Sequence, residues 1–286
     1  MTPQSDDNVS SQIVKIERTL KAYISEAING IGHPVENNVP ALDDIRQRII
    51  HTENKINTLL VRTEDDFRGS TNQRYGHITY SQYGEDLVFV SLLEQLKVEN
   101  PTYLDIGANH PTDCSNTALL YRRGARGVNI DANPDIVRLL DQKRPEDKNV
   151  NVGVAGSPGE LTFYRFDSEA GVNSFSRAAV DNIMKNHPYL KIMDELIIPV
   201  LTLNQIVDKF CDGRFPDLLS IDAEGFDYEI LDKTIFTTRP KILCVETIGP
   251  TGEDGQKIDS LLIAKGFRKC IQMYGNGIYV DRDLAV

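Results

Sequence analysis

Asp105, Asn109, Asp131, Asp222, Glu224 and Glu246 stand where an α/β sheet would present acids and amides to a ligand. Asp105 lies in the apolar run Tyr103-Leu104-Asp105-Ile106, which breaks into Gly107-Ala108-Asn109-His110-Pro111. The run reads as a strand, the break as a tight turn and Asp113 to Arg123 as a helix. That unit sets bare backbone N–H groups beside a small ligand. Asp131 closes a second apolar run, Gly127 to Ile130. An acid roughly 20 residues past the turn glycine is where nucleotide-binding α/β folds reach a ribose hydroxyl.

The glycines discriminate between cofactors. A dinucleotide site uses G-x-G-x-x-G so that backbone can close on a pyrophosphate. Here Gly107 stands alone, followed by Asn109, His110 and Pro111. A single-glycine turn with a ribose acid suits a cofactor with adenosine but no phosphates, and S-adenosylmethionine is such a molecule. The competing reading is an α/β turn that binds nothing. Further contacts to this cofactor are expected from Ala132 beside the ribose acid and from Val154 at the end of the third strand. Gln82 and Tyr83 would lie over the methionine end, and Asp222 beside the reacting methyl.

Asp222-x-Glu224-Gly225-x-Asp227 is the sharpest acidic motif. An acid ending a buried central strand is costly unless paired. Three roles stay open: a base for an acceptor hydroxyl, a helix cap, or, with Glu224 and Glu246, a ligand set for magnesium or manganese. No His/Cys cluster points to zinc. His110, in the turn above the expected pocket, reads equally as a second base or as a structural hydrogen-bond partner, and Glu224 shares the catalytic edge with Asp222.

The elements that must position these groups follow from periodicity. Helices are expected over Leu87 to Lys97, from Pro134 to about Lys143, and over Leu203 to Phe210, Phe226 to Leu231 and Gln256 to Lys265. A further helical patch contains Met184, His187 and Tyr189. Strands are expected at Asn149 to Ala155, Leu161 to Phe166, Ile197 to Leu203, Pro216 to Asp222 and Lys241 to Ile248, with a closing pair Phe267 to Met273 and Gly277 to Val280. Strands alternating with helices and then an antiparallel close give a doubly wound, Rossmann-like α/β sheet of the class I methyltransferase kind. Ligands of such sheets lie outside the carboxyl ends of the strands, where the acids fall.

Ahead of this domain, residues 1–72 read as an arm of two helices. Their stripes are Ile13, Ile16, Leu20, Ile24 and Leu42, Ile45, Ile49, Ile56, Leu59. The second is heptad-like and suits either packing on the same chain or self-association into a homo-oligomer. The methyltransferase domain is then residues 73–286. His33, His51 and His77 fall outside its core pattern and read as solvated.

The 286-residue chain has room for one α/β domain plus this accessory segment, and its net charge of -11 excludes the basic face that a nucleic-acid partner requires. Cys114, Cys211, Cys244 and Cys270 form no C-x-x-C pair, and Cys244 and Cys270 read as reduced thiols within apolar strands. No secretory leader or membrane-spanning run is legible, so the expected location is cytoplasmic.

From Ser81 to Val280 the sequence resembles the FkbM family of S-adenosylmethionine-dependent methyltransferases. The resemblance rests on Ser81-Gln82-Tyr83-Gly84-Glu85-Asp86, Leu104 to Pro111, Ser115-Asn116-Thr117, Asn129 to Pro134 and Leu219 to Gly225. It implies O-methylation, commonly of sugar hydroxyls in bacterial polysaccharides or glycosylated natural products. By motif, Asp105, Gly107, Asn109 and Asp131 resemble cofactor contacts, and Asp222 and Glu224 the catalytic edge. Two functions from different classes are therefore in view: a sugar O-methyltransferase, and a non-catalytic cofactor-binding scaffold that assembles through its arm.

Overall fold

The computed structural model describes residues 78–166, 173–187, 190–247 and 254–285. The proposed arm and His33, His51 and His77 lie outside the described residues.

A seven-stranded sheet forms the frame. Its strands are β1 (Thr102–Ile106), β2 (Arg126–Asp131), β3 (Lys148–Asn151), β7 (Leu218–Ile221), β8 (Ile242–Glu246), β9 (Phe267–Gln272) and β10 (Asn276–Asp281). They stand in the order β3-β2-β1-β7-β8-β10-β9. All pairings from β3 to β8 are parallel, and β10 runs antiparallel to both β8 and β9. The strand order reverses direction between β1 and β7, which opens a crevice at their carboxyl ends. This is the expected Rossmann-like methyltransferase sheet with its antiparallel close.

Side chains alternate across each strand. On one face Leu104, Ile106, Leu219, Ile221, Leu243 and Val245 are sealed by α5 (Leu203–Phe210), α6 (Asp227–Lys233) and α7 (Asp254–Ala264). On the other, Tyr103, Leu218, Ile242 and Cys244 pack under α1 (Glu85–Gln95) and α2 (Ala118–Arg122). Each fully buried leucine or isoleucine stabilises by about 1.5–3 kcal/mol. The second face also carries a polar row, because Asp105 pairs in register with Asn129 on β2 and with Ser220 on β7. α3 (Pro134–Lys143) follows β2 and is capped by Asn133, whose side chain accepts from the Asp135 amide.

Three expectations change. The helix placed at Asp113 forms only over Ala118–Arg122. Cys114 has φ 51°, and the Ser115 amide donates to the Tyr80 carbonyl at 2.8 Å, so this segment is tied to the chain ahead of α1. The helix therefore begins well past the Gly107 turn. The strand expected over Asn149 to Ala155 is two strands, β3 and β4 (Gly153–Val154), in different sheets. β4 joins β5 (Gly159–Phe166) and β6 (Ile192–Leu201) in a three-stranded sheet of order β4-β6-β5, and α4 (Arg177–Asn186) lies between β5 and β6 in the chain. Val150, Val152 and Val154 alternate straight through the change of sheet, so periodicity alone runs them together. Cys244 is buried as expected, but Cys270 is exposed on β9. Among the described residues no helix is long and apolar enough to cross a membrane.

Candidate active site

At the β1/β7 switch point a cleft opens to solvent. Its floor is the Gly107 turn. Gly107 has φ 73°, and a Cβ there would lie 1.9 Å from the Asp222 carbonyl oxygen. Only glycine lets the two strand ends close this tightly. The Gly107 and Ala108 amides both donate to the Ile130 carbonyl, at 2.9 and 3.1 Å, while the Asp222 amide donates to the Ile106 carbonyl at 3.0 Å. The turn is thereby laced to β2 on one side and β7 on the other.

Asp131 stands at the cleft wall at the end of β2. Its two carboxylate oxygens accept from the Asn109 amide at 2.9 Å and the Asn133 amide at 2.7 Å. Each oxygen keeps a second acceptor position for a ligand hydroxyl. Burial pushes its pKa up to about 6, against the lowering pull of the two amides. Ala132, Ile136, Val152, Val154 and Phe163 supply an apolar wall beside it, and Asn173, Ser174 and Phe175 complete that side. Phe163 and Phe175 lean together with ring centroids 4.9 Å apart. The three-stranded sheet that carries Phe163 is fastened to the main sheet by Arg165, which donates to Asp194 on β6 at 2.7 Å, Asp135 at 2.6 Å and Asn133 at 3.1 Å.

Asp222 and Glu224 form the opposite wall. Neither caps α6, because the loop amides of Ala223 and Gly225 donate to Asp227 instead, at 3.1 and 3.2 Å. Asp227 thus frees Asp222 to face the cleft, a role its place in the motif did not disclose. Glu224 holds φ 50°, an uncommon conformation outside glycine and one that clusters at functional loops. Burial raises the pKa of Asp222, Glu224 and Glu246; the charges of Asp227, Asp105 and Asp131 raise Asp222 further, and those of Asp222 and Asp227 raise both glutamates, Glu246 to about 8. Water in the open cleft still reaches Asp222 and Glu224. Among the described residues no three His, Cys, Asp or Glu side chains converge as a metal site. Asp222, Glu224 and Glu246 are therefore neighbours in charge without being a preformed ligand set.

The remaining expected contacts sit elsewhere. Asp105 is 3% exposed and lies beneath the cleft, not on its wall. Alternation along β1 turns it to the Tyr103 face, where Thr117 donates to it at 2.6 Å. Burial raises its pKa, against the hydrogen bond from Thr117 and the charge of Arg144. Arg144 itself is 1% exposed and donates to Thr117 at 2.9 Å, Tyr103 at 2.8 Å and Asp147 at 2.8 Å. This buried network holds the β1 turn from below, and the sequence showed Arg144 only as half of a Lys-Arg pair. His110 is half-buried outside the cleft wall, and its Nδ1 accepts from the Thr112 amide at 3.3 Å. Gln82 and Tyr83 are exposed, also off the cleft wall. Gly107, Asn109, Asp131, Ala132, Val154, Asp222 and Glu224 do line it together.

The family described as methyltransferase FkbM domain matches residues 105–269, from the acid beneath the turn to the middle of β9. The chain belongs to the FkbM methyltransferase family. No curated protein matches the chain. Among solved structures it is similar to a methyltransferase FkbM from Methylobacillus flagellatus KT, at 13% identity and TM-score 0.39, over 73% of this chain and 46% of that one. The chain thus spans about half the length of that structure. It is also similar to a TehB-like SAM-dependent methyltransferase from Corynebacterium glutamicum ATCC 13032 Kitasato, at 13% identity and TM-score 0.38, over 81% and 98% of the two chains.

The residues present fit the FkbM cofactor. Asp131 offers two spare acceptor positions for ribose hydroxyls, and the neighbouring wall is apolar enough for a purine face. The cleft is lined by three carboxylates and by no lysine, arginine or histidine. That charge suits a sulfonium and an ammonium and opposes a pyrophosphate.

Proposed function

We propose that the protein is an O-methyltransferase acting on a hydroxyl of a sugar in a glycan, a polysaccharide or a glycosylated metabolite. The observation that carries this reading is the convergence of Asp222 and Glu224 on the wall of the cleft, with Glu246 at the carboxyl end of the neighbouring β8. When bound, S-adenosylmethionine supplies an electrophilic methyl on a sulfonium. An acceptor hydroxyl must shed its proton as its oxygen takes that methyl, and a base is most effective when its pKa lies near the working pH. Asp222, whose carboxyl is raised by burial and by the neighbouring acids, is the group proposed to receive that proton. Glu224 and Glu246 are raised by burial and by nearby carboxylates, and in their protonated form each can both donate to and accept from hydroxyl groups. A neutral polyhydroxyl acceptor suits such a rim, whereas a carboxylate or phosphate acceptor would be repelled by it.

Asp131 and the turn beneath it hold the donor side of the reaction, and Asp227 keeps the loop of Asp222 rigid through two amide bonds. The test is to offer methyl-labelled donor with nucleotide-sugars, oligosaccharides, phenols and amines, with and without divalent metal. Label on a sugar oxygen, with turnover reduced roughly 10²–10⁴-fold in Asp222→Asn while product-cofactor affinity is kept, is the expected result. Label confined to phenols or amines would overturn the sugar reading.

A further inference from the structure

Beyond the acid recess, two exposed tyrosines meet outside both the core and the cleft lining. Tyr274 is 74% exposed and Tyr83 is 43% exposed, and their rings meet with centroids 5.1 Å apart at a tilt of 46°. They come from chain segments 191 positions apart, the lead-in to α1 and the tip of the β9–β10 hairpin. We propose that this pair is the platform on which the sugar ring of the acceptor stacks. The proposal rests on the sugar O-methyltransferase reading and adds a binding subsite to it.

Placement comes first. Asn276 is the register partner of Glu246, and the Thr247 amide donates to the Gly275 carbonyl at 2.8 Å. Tyr274 therefore stands at the carboxyl end of β8, at the lip of the acid recess and on the same end of the sheet as the cleft. Tyr83 is brought to it by Glu85, which is fully buried and spends both oxygens on the link. One accepts from the Tyr83 amide at 2.9 Å and the other from the Asn276 side chain at 2.9 Å.

Rigidity comes second. The hairpin tip closes with the Met273 amide on the Asn276 carbonyl at 2.8 Å. The Gln272 side-chain amide reaches Thr247 Oγ1 at 2.9 Å, the Met273 carbonyl at 2.8 Å and the Asn276 carbonyl at 3.1 Å. A backbone this firmly held presents its aromatic ring to water at little further entropic cost on binding. Exposed aromatics on such a frame are better suited to a ligand than to the core.

Size and polarity come third. Two rings make a small apolar face, well short of the roughly 800 Å² per partner that a stable protein interface buries. Gln82 adjoins Tyr83 in the chain and Asn276 is tied to Glu85 beneath it, so hydrogen-bonding side chains lie beside the rings. A pyranose matches this pattern, since its C–H face carries partial positive charge against the negative face of an aromatic ring and its hydroxyls point outward to amides and acids.

The test uses the full chain loaded with S-adenosylhomocysteine and a panel of methyl glycosides, read by saturation-transfer NMR. Transfer to ring C–H protons of at least one glycoside is expected. Tyr274→Ala and Tyr83→Ala should weaken it about tenfold and Tyr274→Trp should restore it, with product-cofactor affinity and melting temperature held. Glycoside binding that survives both alanine variants overturns the platform alone. No glycoside binding to the wild type overturns the sugar reading with it. Parallel loss of product-cofactor affinity would place the rings on the donor side and also overturns the platform.

Discussion

Gly107→Ala is the perturbation whose cost the structure sets most closely. The residue has φ 73°, where a side chain costs about 1–2 kcal/mol. A Cβ would lie 1.9 Å from the Asp222 carbonyl oxygen, against 3.4 Å or more for an ordinary contact, so β1 and the loop after β7 must separate by about 1.5 Å. The atom in the way is main chain, which no rotamer change can move. Overpacking of this kind costs about 1–3 kcal/mol. The 3.0 Å bond from the Asp222 amide to the Ile106 carbonyl stretches with it, for about 1 kcal/mol more. The expected total, about 3–6 kcal/mol, is a large part of a typical domain's stability. It should lower the melting temperature by roughly 6–24 °C. Gly159→Ala is the control, because nothing lies within 4 Å of its added Cβ. Thermal melts and titration with S-adenosylhomocysteine on both variants provide the assay. If Gly107→Ala melts and binds as the wild type does, the close approach of the turn to Asp222 is wrong.

Removing the ribose acid with Asp131→Ala should weaken cofactor binding by about 1.5–3 kcal/mol in calorimetry, since a charge-assisted contact is lost. Arg144→Met should destabilise by about 3–5 kcal/mol in denaturant melts, because Asp147 and Asp105 stay buried without their cation. The pH dependence follows from carboxyl pKa values raised by folding, Asp131 to about 6 and Glu246 to about 8. The folded state binds protons that the unfolded state has released, so ligand-free stability is greatest at low pH and falls as pH rises through these values, in melts taken from about pH 5 to pH 9. Cationic S-adenosylmethionine should bind more tightly over the same rise, and its uncharged-sulfur product should gain less.

Much of the frame was legible because hydrophobic period and glycine carry local information. Gly107, Asp131 and Asp222 each mark a strand end, and a parallel sheet brings strand ends together whatever the loops do. Asp105 shows where that logic stops. It too sits near a strand end, but alternation along β1 sends it under the sheet to Thr117 and Arg144, partners 12 and 39 positions away that no spacing rule connects to it. The change of sheet at Val152 was hidden for a related reason, since one valine alternation serves both β3 and β4. Phe163 reads as a strand residue and Phe175 belongs to no expected element, and only the packing of the second sheet brings them to the cleft. Tyr274 was one residue in a terminal turn until the β8–β10 register placed it beside Glu246.

The central claim is that an acid-lined, phosphate-averse cleft at the β1/β7 crevice takes S-adenosylmethionine. Isothermal titration of the full chain with S-adenosylmethionine, S-adenosylhomocysteine and NAD tests it directly. The account predicts saturable binding of the first two, weakened in Asp131→Ala, and none of NAD. Binding of NAD with none of either methyl-cycle ligand would contradict it.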